Sequence, residues 1–125
     1  MPTTVWTSKR PVGAMFTTTN GTLQTAINFA VPTNKACNIR ADIIATDAAT
    51  GVTATTAGYM LAATFENSNG TVTQVSTTTV MHSKEDIAAP MDAVFAVSGT
   101  NVQLNITGDP GRTIRWSIWY EINLV

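Results

Sequence analysis

Residues 101–125, NVQLNITGDPGRTIRWSIWYEINLV, alternate apolar and polar side chains with a period of two. Val102, Leu104 and Ile106 share one face against Gln103, Asn105 and Thr107. Beyond a Gly108-Asp109-Pro110-Gly111 break, Ile114, Trp116, Ile118, Tyr120, Ile122 and Leu124 share a face against Thr113, Arg115, Ser117, Trp119, Glu121 and Asn123. A strand sends successive side chains to opposite faces, so both halves read as strands with one buried side. Pro110 pre-sets the first central position of a turn, and Gly111 accepts the positive φ that a type II turn needs next. The expectation is an antiparallel C-terminal hairpin whose long last strand nucleates the core.

The rest of the chain follows the same period. Asn20-Gly21 has the type I′ signature and predicts a hairpin between a weak strand at 13–19 and a clean one in which Leu23, Thr25, Ile27, Phe29 and Val31 share a face. Ile39, Ala41, Ile43 and Ala45 alternate with Arg40, Asp42, Ile44 and Thr46, and their small size suggests close sheet packing. Residues 47–56 read as a loop. Tyr59, Leu61, Ala63 and Phe65 give a further core face, and Asn69-Gly70 a second hairpin. The period falters over 71–75, where a bulge fits, and a short Thr-rich edge strand follows at 77–81. Ser83 with Asp86 fits a capping box, so one helical turn is expected within 82–90. Ala93, Phe95 and Val97 open a strand that turns at 98–101. Eight or nine strands at this spacing predict an all-β, antiparallel two-sheet sandwich, jelly-roll-like, formed by residues 13–125 behind an extended arm at 1–12.

Composition narrows the function. At 125 residues the chain makes one domain able to bury roughly two thirds of its unfolded surface. Its charged fraction, 12%, is about half the usual ~25%, with Thr filling the deficit. A formal net charge of −1 lacks the basic footprint of a nucleic-acid binder. No run reaches the ~18 apolar residues of a membrane span, and no secretion signal opens the chain, so synthesis and folding in a cytosol are expected. The single cysteine, Cys37, reads as a small core residue and rules out an internal disulfide or a cysteine-based zinc cluster.

Little in the sequence points to catalysis. His82 is the only histidine, and its neighbour Ser83 would point away from it on a strand. Glu85, Asp86 and Asp92 lack a calcium-loop pattern. Their better reading is solvated charge. No catalytic residue, metal or cofactor is expected. The Asn-x-Thr triplets at 20, 69 and 105 carry no expectation of glycosylation, since two of them coincide with turns. Six residues stand out as contact candidates. Trp6, Lys9 and Arg10 lie on the arm, where Trp6 either folds back on the domain or meets another subunit. Arg112 and Arg115 are candidates for cross-strand or intersubunit pairs with Glu121. Trp119 points away from the core stripe, as an interface anchor would.

The ending resembles a module that recurs in virion proteins of tailed bacteriophages. In that module a strand closes on v-x-G, a v-x-v-x-v-T-G strand follows, and T-I-x-W opens a long last strand. Here those are Val97 with Gly99, residues 102–108, and Thr113, Ile114 and Trp116. Residues 63–75, ATFENSNGTVTQV, are similar to the middle of the same module. The resemblance covers roughly residues 23–125 and implies a virion surface protein of β-sandwich type, often trimeric, with no catalytic residues to carry over. Because only a short arm precedes the sandwich, the expected role is a homotrimeric capsid decoration (cement) protein docked on the major capsid protein. The alternatives are a tail-fibre or tail-tip domain that binds a receptor or glycan, and a hydrolase acting on cell-surface sugars.

Overall fold

The computed structural model describes residues 7–8, 12–47, 56–85 and 91–125. Within them the chain forms nine strands: β1 Thr7–Ser8, β2 Val12–Thr18, β3 Leu23–Ala30, β4 Ala36–Asp47, β5 Thr56–Ser68, β6 Thr71–Glu85, β7 Asp92–Ser98, β8 Asn101–Thr107 and β9 Ile114–Leu124. They build two antiparallel sheets, as the alternation requires. One runs β1-β9-β4-β5-β6, with β2 also pairing β9; the other runs β3-β8-β7. β1 and β2 share one edge of β9, with Ser8 opposite Asn123 and Val12 opposite Tyr120. Part of the expected arm is therefore sheet. Trp6, Lys9 and Arg10 lie outside the described residues.

The inner faces of the two sheets close on one core. Val102, Leu104 and Ile106 come from the middle of the small sheet; Ile39, Ile43, Ile114, Trp116 and Ile118 come from β4 and β9 at the middle of the large one. Each such side chain removed from water contributes about 1.5–3 kcal/mol. Two aromatic pairs organise the interior. Tyr59 stacks on Trp116 with centroids 6.5 Å apart, and Phe65 meets Phe95 of the opposite sheet edge-on at 6.3 Å. Ala45 stands in register between Trp116 and Ala57, so small residues make room for the indole. Cys37 is buried, as expected.

Two expected hairpins are not formed. β8 and β9 lie in different sheets, and so do β2 and β3. The turn chemistry at 109–112 is nonetheless the expected one: Gly111 has φ 76°, and the Arg112 N–H donates to the Asp109 carbonyl at 3.2 Å. It makes a corner between sheets. Asn20-Gly21 takes no positive φ; Asn20 Oδ1 instead accepts the Thr22 N–H at 2.9 Å, an Asx turn at a second corner. The two corners pack together. A Cβ on Gly21 would stand 2.8 Å from Pro110 Cγ, and one on Gly108 would stand 2.6 Å from the Asn20 carbonyl. Alternation and turn residues are the same for a hairpin and a corner; burial of both inner faces selects the corner.

The hairpins at Asn69-Gly70 and Gly99-Thr100 do form, with positive φ at Asn69, Gly70 and Gly99. Three smaller departures follow. A register shift between Thr25 and Ile27 flips the phase of β3, leaving Leu23 exposed. β6 is one 15-residue edge strand with irregular register, absorbing the expected short strand at 77–81. It continues through Glu85, so Ser83 sits in a strand and caps no helix.

Candidate functional site

The outer face of the large sheet holds an apolar patch among polar rows. Cross-strand register aligns Gly13, Trp119, Asp42, Met60 and His82 in one row spanning β2, β9, β4, β5 and β6. The next row aligns Met15, Ser117, Ile44, Gly58 and Lys84. On the other side, Glu121, Arg40 and Ala62 stand in register. Trp119 is 57% exposed although its chain neighbour Ile118 is fully buried. Ile44, Met60 and Met15 are exposed beside it.

Two glycines shape this surface. Lacking a side chain, Gly13 lets the pyrrole edge of Trp119 lie over β2; a Cβ there would stand 3.3 Å from Nε1. Gly58 does the same for His82, whose Nε2 is 3.5 Å from the corresponding position. A groove of about 440 Å³ lies between Trp119 and His82, bordered by Asp42, Ile44, Gly58, Met60 and Ser117. Asp42 and His82 are two strand spacings apart, about 10 Å between backbones, with Met60 between them. The groove thus offers an aromatic surface, an aliphatic floor, a carboxylate acceptor and an imidazole. Among the described residues no three His, Cys, Asp or Glu side chains group as metal ligands.

Of the expected contact residues, Trp119 lies in the groove and Arg115 on the same face, in register with Thr46 and Thr17 rather than with Glu121. Arg112 pairs with Asp109 at 3.2 Å within the corner turn. Glu121 stands opposite Arg40. Asp42, Ile44, Met60 and His82 share no signal in the sequence that marks them as a group. The available signals were Ile44 and Met60, large apolar residues on the faces opposite their strands' core stripes.

No family model matches the chain, and no curated protein does. Among solved structures it is similar to the tailspike protein of Acinetobacter baumannii phage AM24, with 12% identity and a TM-score of 0.47, covering 91% of this chain and 26% of that one. It is also similar to a tailspike of Acinetobacter baumannii bacteriophage Fri1, a capsular polysaccharide depolymerase, with 15% identity and a TM-score of 0.41, covering 89% of this chain and 17% of that one. The chain thus spans well under a third of either tailspike. The expectation that it is not an enzyme is withdrawn: a neighbour described as a depolymerase overturns it.

Proposed function

We propose that this chain is a tail-associated bacteriophage virion domain that attaches to host surface glycans through the outer face of its large sheet. The virion attribution is supported by the module resemblance over residues 23–125. The attachment role is supported above all by one observation, the exposed Trp119 beside Asp42 and across a groove from His82. A sugar ring presents an apolar C–H face and a rim of hydroxyls, and an indole flanked by hydrogen-bonding groups complements both. This tail-side role replaces capsid decoration as the leading reading, because the groove beside Trp119 has the aromatic and hydrogen-bonding lining that a glycan needs. A homotrimer, which the resemblance implies, would present three such faces and gain avidity on a repetitive surface polymer.

The test is binding of the purified protein to polysaccharide extracted from host cells. Trp119→Ala is expected to weaken binding by roughly tenfold or more, about 1.4 kcal/mol, while the exposed site leaves the unfolding midpoint unchanged. Equal binding by parent and variant, or none by the parent, would defeat the reading. Assaying the same incubation for new reducing ends separates attachment from cleavage.

A further inference from the structure

A second depression on the outer face arises from the irregular register of β6. Thr64 pairs with Val75 and Ala62 with Thr79, so Ser76, Thr77 and Thr78 stand against Ala63 alone. Ser76 takes a φ of 65°, uncommon for a residue with a Cβ. Gln74 Nε2 donates to Thr78 Oγ1 at 2.9 Å and staples the bulge. Bulges re-aim side chains and concentrate next to functional sites. This one opens a hollow of about 420 Å³ bordered by Asn38, Arg40, Ala62, Thr64, Ser76 and Thr79, among others.

Arg40 joins the hollow to the groove. It borders the hollow and also a shallow cleft shared with Asp42, Trp119 and Glu121. The three depressions follow β4 from Ile44 to Asn38, about 20 Å at ~3.3 Å per residue. That exceeds one sugar ring. The lining grades from Ile44, Met60 and Trp119 through Asp42, Arg40 and Glu121 to Asn38, Thr64, Ser76 and Thr79. In the middle, two carboxylates flank one guanidinium. A carboxylate, sulfate or phosphate on the ligand would face both Asp42 and Glu121, and juxtaposed like charges are costly. Neighbouring hydroxyls suit the arrangement, since each can donate to a carboxylate while accepting from the guanidinium. Among the described residues, the other cations of the face lie away from this middle, Lys84 at the edge of the Ile44 row and Arg115 one row beyond.

We infer that the ligand is a neutral, extended oligosaccharide lying along β4, with a ring face on Trp119 and its far hydroxyls held by Arg40, Asn38 and the bulge. The inference rests on the attachment reading and adds the ligand's length and charge. Its test is calorimetric titration of the full chain with a size-graded series of neutral oligosaccharides from host polysaccharide, and with a uronic-acid-bearing series of matching lengths. Affinity for the neutral series is expected to rise with length until the track is filled. Arg40→Gln and Asn38→Ala are each expected to weaken the long members roughly tenfold and leave the shortest unchanged, with parental unfolding midpoints, whereas Trp119→Ala weakens every length. Length-independent affinity, tighter binding of the acidic series, or Arg40→Gln acting equally at all lengths overturns the inference and leaves attachment standing. If neither series binds, both readings fall together.

Discussion

At the scale of single residues, the interior keeps its few polar groups by pairing them. Trp116 is fully buried, and its indole Nε1–H donates to the equally buried Thr18 Oγ1 at 2.9 Å. Thr18→Val keeps the volume and orphans that donor, so a loss of about 1–3 kcal/mol is expected, read as a lower urea midpoint. Asn67 acts similarly, donating to the Val31 carbonyl at 2.7 Å and accepting the Gly70 N–H at 2.8 Å, which locks the β5–β6 turn to the chain just beyond β3. Tyr59 is the pH-sensitive member of the core. Burial, then its 2.9 Å hydrogen bond to Glu85 and the charge of Glu85, pushes its phenol well above the ordinary value. An unfolded tyrosine ionises near pH ~10. Above that, the unfolded chain releases a proton that the folded chain keeps, so stability falls as pH rises. Burial also raises the Cys37 thiol, which adds a loss of the same sign from a lower onset. Urea midpoints measured from about pH 7 to about pH 11 should decline in the parent and decline less steeply at the alkaline end in Tyr59→Phe.

At the scale of elements, the corners at 19–22 and 108–113 decide the architecture, because each carries the chain from one sheet to the other. Their contact explains why the v-x-v-x-v-T-G pattern ends in glycine here. A side chain on Gly108 would collide with Thr18 Oγ1 and the Asn20 carbonyl. Gly108→Ala should therefore cost about 1–3 kcal/mol by overpacking, visible as a reduced thermal midpoint with the spectroscopic β signature retained. The alternation foretold the strands themselves because period two is a property of the backbone. It did not foretell the partners: β2 and β3 have hairpin-like sequences but pair with β9 and β8. The phase flip in β3 was hard to read for a related reason. A one-residue slip leaves composition unchanged while exchanging the buried and exposed faces.

At the scale of the whole molecule, most pairings join distant parts of the chain, as when Thr25 of β3 donates to Asn105 of β8 at 2.9 Å. Closing such loops before their contacts form is slow, so stopped-flow refolding should occur in milliseconds to seconds, the range of β-sandwiches, rather than in microseconds. The same topology assembles the candidate site. Its groove draws on β9, β4, β5 and β6, and no two of Trp119, Asp42, Met60 and His82 are close in sequence. Trp119 was legible alone, because an indole on a polar face departs from the period. Its companions were not, since a carboxylate or imidazole on an outward face looks like ordinary solvated charge until its neighbours across the sheet are known.

By itself the sequence determined that the chain forms strands, which side of most of them is buried, and where most of the chain's turns stand, because those follow from local sterics and the period of the pleat. Only the tertiary structure decided which strands share a sheet, that two turns are corners, and that Trp119, Asp42, Met60 and His82 meet in one row. Those outcomes depend on burying both inner faces at once, and that free energy belongs to pairs of elements rather than to any one stretch of chain.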